Sequence, residues 1–451
     1  MTDGLAFARA TLGRIGRRST DSSTGAGRSG GRSDAEQPSE RLRRSLLPTT
    51  RLRIGEGRER EDRHSSWLEL FFDLVFVAAV SRLAGALQHA PTMANLLRFA
   101  GLFILVWWIW LNFSIYADRH EADDDPIHRL AFLLAGLFGV VLAVGADQAM
   151  HGQVVAFVVA FLALRVLQMA LWARARLHVP QVARLYRRHL CTFGAGGVLW
   201  AASLAVPSPI RPALWAAALA IEVAGPVAAA RAHVSLPLNP IHLTERLEVF
   251  VLIVLGESVL RLVDAATRRA WTPQLTVVLT AAFATIASLW WISLRGTDEA
   301  PIAGGPTLGN LAYRLLYLPV VLSIAAASAG LHIAILAATG GTIGTPARVA
   351  LYGGTGVFLL AAAALPVGRA GRPARLVRFG AAVASFALVP MGSFVAPVFL
   401  VPALTAILIA QIVIELHLAR QPSRGDAKQT RPKLTATRSP TLALAQANRE
   451  S

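Results

Sequence analysis

The chain has 451 residues, with 44 Lys and Arg against 27 Asp and Glu, a net charge of +17 and a single cysteine, Cys191. Hydrophobic residues make up 54% and charged ones only 16%, whereas soluble domains sit nearer a quarter charged. These numbers argue against a soluble enzyme and exclude a disulfide framework, a Cys-cluster metal site, a collagen and a coiled coil. The length accommodates about a dozen membrane helices of roughly 20 residues plus tails.

Residues 1–66 hold 14 Arg and 9 Asp or Glu around the Gly/Ser-rich run Ser22–Ser33. The stretch is too polar to bury a core and reads as a disordered, Arg-rich cytoplasmic tail. No apolar stretch follows Arg17-Arg18, so that pair is not read as a twin-arginine export signal. Twelve apolar stretches follow, near residues 67–88, 95–117, 128–148, 153–174, 190–206, 211–231, 244–264, 274–294, 311–338, 347–366, 376–394 and 396–417. The expected fold is therefore all-α, a polytopic membrane bundle of about twelve transmembrane helices. Internal breakers such as Pro226, Pro319 and Pro390 are tolerated where neighbouring helices satisfy the freed backbone groups. Residues 419–451 form a second disordered basic tail. The basic segments lack interleaved aromatics, so anionic lipid at the tails and cytoplasmic loops is the expected partner, and nucleic acid is not.

Arginine placement sets the orientation. Basic residues precede stretch one, fall between four and five (Arg174, Arg176, Arg184, Arg187, Arg188) and between ten and eleven (Arg369, Arg372, Arg375), and follow twelve. An even span count puts all four places on one side, so both termini are expected in the cytoplasm. The acidic loop Asp118–Arg129 and the outer Arg268 and Arg269 run against the rule.

The halves share landmarks. Leu68-Glu69-Leu70-Phe71 opens stretch one and Leu247-Glu248-Val249-Phe250 opens stretch seven, 179 positions on. Trp107-Trp108-Ile109-Trp110-Leu111 closes stretch two and Trp290-Trp291-Ile292-Ser293-Leu294 closes stretch eight. His128-Arg129-Leu130 opens stretch three and Tyr313-Arg314-Leu315 opens stretch nine. The order predicts two parallel six-helix repeats, over 67–231 and 232–418.

Ionisable residues inside spans are functional candidates by default. Glu69 and Asp73, four apart, share a helix face. They either carry a proton or hold a cation, or Asp73 simply pairs with Arg165. Stretch seven adds Glu245, Arg246, Glu248, Glu257 and Arg261, of which Glu257 and Arg261 are spaced to pair. His242 and Glu245 are three apart, but no second such pair accompanies them, so no metal site is expected. Gly256-Glu257-Ser258 lacks the second glycine of a nucleophile elbow. Asn112, Asp118, His120, Glu121, Asp123, Asp124, Asp125 and His128 cluster after stretch two, where Asp125-Pro126 reads as a helix start. Trp107, Trp108, Trp110, Trp290 and Trp291 read as interfacial belts. No nucleophile–base pair assembles, so neither an enzyme nor a cofactor is expected.

The run Glu69-Leu70-Phe71-Phe72-Asp73-Leu74-Val75-Phe76-Val77 resembles the opening signature of the bacterial low temperature requirement protein A family. So do Trp107–Tyr116, the stretch around Arg165, and Glu245-Arg246 followed by Leu255-Gly256-Glu257-Ser258. Where that family carries His-Leu-Pro and then Gly in stretch nine, Tyr317-Leu318-Pro319 and Ser323 stand here. The resemblance implies a polytopic plasma-membrane protein and no particular reaction. Phe72-Asp73-Leu74-Val75-Phe76 is also similar to the Phe-Ser-Asp motif potassium channels, although Leu252 occupies the equivalent position in the second half. Three classes remain: a proton- or ion-coupled transporter of an unknown small solute or ion, a cation channel, and a non-transporting scaffold or stress sensor.

Overall fold

The computed structural model describes residues 51–52, 66–121, 125–178, 183–228, 240–294, 307–365 and 371–420. The remainder of both tails lies outside the described residues, as does the side chain of His242. Twelve helical rods run through the described residues: α1 Trp67–His89, α2 Met93–Arg119, α3 Pro126–Met150, α4 Val155–His178, α5 Ala183–Ala202, α6 Arg211–Ala228, α7 Pro240–Thr267, α8 Pro273–Leu294, α9 Thr307–Leu336, α10 Thr345–Ala364, α11 Gly371–Met391 and α12 Pro397–Arg420. Each corresponds to one of the twelve apolar stretches, with ends shifted by a few residues. Nine are long and apolar enough to cross a membrane: α1 to α4, α8, the Leu315–Leu336 part of α9, and α10 to α12.

Local chemistry fixes several starts. Ser66 and Glu69 form a capping box, each side chain accepting the other's backbone N–H, at 3.3 and 3.2 Å. Thr92 accepts from Asn95 N at the start of α2. Asp125 accepts from Ile127 N, with Pro126 at the first position of α3. A short antiparallel ladder, β1 Arg51–Leu52 with β2 His120–Glu121, gives the stretch read as an N-terminal tail at least one ordered element.

The packing inverts the soluble pattern. Leu376, Phe379, Val383 and Phe386 of α11 recur at helical spacing and point outward. Val155, Val159 and Val166 do the same on α4. Apolar outward stripes over a core that holds buried Asp, Glu and Arg are what hydrocarbon surroundings require. The chain is a multi-pass membrane protein by this architecture.

Small residues let the rods approach. A Cβ at Gly139 of α3 would lie 2.8 Å from Val75 of α1, and one at Gly330 of α9 would lie 2.6 Å from Leu351 Cβ. Leu351 sits in the π-turn Val349–Gly353, which interrupts α10 at that crossing. The neighbour relations of the two halves are partly alike, but α8 packs on α12 in the second half, with no comparable α2–α6 packing in the first among the described residues. In the first, α1 packs on α2 and α3, then α3 on α4, α4 on α5 and α5 on α6. In the second, α7 packs on α8 and α9, then α9 on α10, α10 on α11 and α11 on α12. The halves meet where α1 contacts α7 and α9, and where α2 contacts α7.

Candidate functional site

Three helices supply one buried cluster at that seam. Asp73 on α1 and Arg246 on α7 are both 0% exposed, and Arg246 Nη2 donates to Asp73 Oδ1 at 2.6 Å. Trp110 Nε1 on α2 donates to the same oxygen at 2.7 Å. Aromatic rings close around the pair. Trp110 packs on Phe250 at 4.3 Å between centroids, and Trp107 meets Phe250 edge-on at 5.5 Å. The Arg246 guanidinium lies 6.0 Å from the Trp110 ring centroid. Asp73 Oδ2 and the Nε and Nη1 of Arg246 have no hydrogen-bond partner among the described residues. Glu69, one turn before Asp73 and 3% exposed, adds its negative charge near Arg246, as does Asp118.

Eight residues further along α1, roughly 12 Å at 1.5 Å per residue, the seam changes character. Ser81 Oγ donates to Glu257 Oε1 at 2.5 Å. Arg261 reaches Glu257 Oε1 at 3.1 Å and Ser81 Oγ at 2.9 Å, and also bonds the Ser81 carbonyl. His332 Nδ1 of α9 donates to the carbonyl of Arg261 at 3.1 Å. A pocket of about 330 Å³ opens here, lined by Ser81, Gly85, Gln88, Asp147, Glu257 and Arg261 among others. Asp73 does not line it.

The structure sorts the sequence candidates. Asp73 and Arg246 pair, and so do Glu257 and Arg261. Glu245 and Glu248 are half-buried on α7. Arg165 is not Asp73's partner. It lies on α4, where it bonds Glu222 of α6 and Gln168, while Trp108 Nε1 donates to Glu222 at 2.7 Å. The geometric reason is that α4 packs on α3 and α5, away from the α1–α7 seam. A similar buried trio closes the second half: Arg378 bonds both oxygens of Glu415, at 2.7 and 3.0 Å, and Gln411 donates to Glu415 at 2.6 Å. Glu222, Arg378 and Glu415 were each visible as ionisable residues inside apolar stretches. Trp107, Trp108 and Trp110 are not interfacial belts. All three are buried in the core, while Trp290 and Trp291 are exposed. Asp125 caps α3 and bonds Arg174, and His120 contacts Tyr186 Oη at 3.0 Å. Among the described residues, no three His, Cys, Asp or Glu side chains group as metal ligands.

A family model, bacterial low temperature requirement A protein, matches residues 64–413. The chain belongs to that family. The match contains both charged levels of the seam, from Glu69 through Arg261, and both buried Arg–Glu pairs of the bundle except Glu415. An uncharacterized protein of Rhizobium meliloti (strain 1021) is 29% identical over 273 residues, covering 57% of this chain and 66% of that relative. The chain thus spans just under two thirds of that relative's length. No solved structure matches the chain.

The two levels of the seam differ in access, and thiol labelling reads that directly. In a Cys191→Ser background, Gly85→Cys is expected to react with a membrane-impermeant maleimide from one face of sealed vesicles. Phe76→Cys, between the two levels and fully buried, is expected to stay unmodified from either face. Equal labelling at both positions would place water along the whole seam.

Proposed function

We propose that the chain is a transporter of a small polar solute or ion, built as two parallel six-helix repeats in the bacterial plasma membrane. The observation that carries this reading is the polar pocket at the α1–α7 seam. It is lined by Ser81, Glu257 and Arg261, and the buried Asp73–Arg246 pair lies further along the seam, beyond Phe76 and Val80. Open polar space closed off by buried side chains along the seam between two half-bundles fits alternating access by rocking of one half against the other. An open channel fits less well, because Phe76 and Val80 are buried between the pocket and Asp73. Glu257, about a quarter exposed and tied to Arg261, is the group that meets the solute. Asp73 holds the halves in register rather than carrying the coupling proton.

The repeat rests on the recurring landmarks Glu69/Glu248 and Trp107-Trp108/Trp290-Trp291, together with the recurring neighbour relations of the helices. With twelve crossings both termini lie on the cytoplasmic side, where the Arg-rich ends of α4 and α5 and the Arg372 and Arg375 region of α11 also sit. Reporter fusions at both termini are expected to read cytoplasmic, and a periplasmic signal from either end contradicts the twelve-crossing arrangement.

Transport itself is tested by uptake of radiolabelled small solutes and monovalent cations into proteoliposomes, with and without a proton gradient. Saturable uptake is expected. Glu257→Gln is expected to lower it at least about tenfold, the equivalent of one charge-assisted hydrogen bond near 1.4 kcal/mol, with unchanged membrane yield. Absence of uptake for every probe, or full uptake by Glu257→Gln, overturns the reading and favours a non-transporting sensor or scaffold.

A further inference from the structure

We infer that the seam pocket takes a small zwitterion, a molecule carrying an ammonium group and a carboxylate a few bonds apart. This rests on reading the pocket as the solute site and names what fits there. The pocket wall carries both signs of charge. Glu257 and Arg261 largely satisfy each other through Ser81, and Asp264 at the rim is held by Arg268 at 3.0 Å. Two charged groups are left over. Asp147 of α3 and Arg82 of α1 line the same pocket, yet neither side chain has a hydrogen bond or ion pair among the described residues. They do not pair with each other, since no contact within 4.0 Å joins them.

Unlike charges that line one pocket without pairing, here the exposed Arg82 and the half-buried Asp147, are complementary to a ligand that carries both charges at its two ends. A plain cation gains Asp147 but faces Arg82 and Arg261. A plain anion gains Arg82 but faces Asp147 and Glu257. In a cleft with low-dielectric walls, either mismatch costs more than it does in water. Two further donors suit a carboxylate. Gln88 Nε2 is buried without a partner. Arg261 Nη1 faces Gly85, where an added Cβ would still be 3.7 Å away, so the glycine leaves the approach open. The pocket volume, at the low end for small-molecule sites, restricts the ligand to a few heavy atoms.

Equilibrium binding to the purified full-length chain tests this separately from flux. Three probes share one skeleton: L-alanine, ethylammonium lacking the carboxylate, and propionate lacking the amine. Calorimetric titration is expected to show L-alanine bound at least tenfold more tightly than either fragment. Asp147→Asn and Arg82→Gln are each expected to weaken L-alanine at least tenfold. Neither is expected to change the thermal midpoint of the free protein, because neither side chain makes an internal bond. A fragment binding as tightly as L-alanine, no binding of L-alanine, or unaltered binding by both variants overturns the inference. Binding without flux would overturn the transport reading and leave this one standing.

Discussion

Two opposite charges with no exposed surface hold α1 of the first half-bundle against α7 of the second. Moving either charge alone into a low-dielectric interior costs many kcal/mol, so Asp73 and Arg246 are tolerable only as a pair. The pair is incompletely satisfied: Trp110 supplies one donor, while one carboxylate oxygen and two guanidinium nitrogens lack partners among the described residues. That leaves its stability dependent on exact mutual placement. Phe250, Trp107 and Trp110 provide the placement by packing around it. A shift of about 1 Å at this level would separate the charges without admitting water to replace the contact.

Further along the same helices the side chains become short or polar, and the seam opens. Ser81, Gly85 and Gln88 take the positions where α1 would otherwise present bulk to α7. Charge is therefore used in two ways on one interface. The sealed Asp73–Arg246 pair joins α1 to α7, and the accessible Glu257–Arg261 pair lines a pocket together with Asp147 and Arg82. The buried Arg165–Glu222 and Arg378–Glu415 pairs lie elsewhere, each tying the last helix of a half to its neighbours.

Much of this was legible in the sequence, for definable reasons. Long apolar runs mark helices, so twelve helical rods could be read among the described residues, nine of them long and apolar enough to cross a membrane, while the charged start of α5 at Ala183 was missed. Four-residue spacing identified Glu257 and Arg261 as a pair, because local geometry on one helix decides it. Partner choice between helices was not legible. Arg165 and Arg246 are equally plausible for Asp73 until it is known which helices touch. Trp107, Trp108 and Trp110 read as belt residues because tryptophan near the end of a span has two uses. For Trp110 and Trp108 the difference lies in a buried carboxylate that takes the indole N–H, Asp73 and Glu222 respectively, whereas Trp107 is buried by ring packing on Trp110 and Phe250. The pocket had no sequence signal, since it arises from what Gly85 and Ser81 leave empty.

The account turns on the Asp73–Arg246 bond as the pin between the halves, and a double-mutant cycle measures it directly. Asp73→Asn, Arg246→Gln and the double variant would be compared by reversible unfolding in lipid-like micelles. Each single variant strands a buried charge or breaks the pair, at about 3–5 kcal/mol. The double variant restores a neutral hydrogen-bonded pair that Trp110 can still donate to. The predicted result is a double variant at least about 2 kcal/mol more stable than the sum of the single losses allows. Losses that simply add, within about 0.5 kcal/mol, would contradict the account.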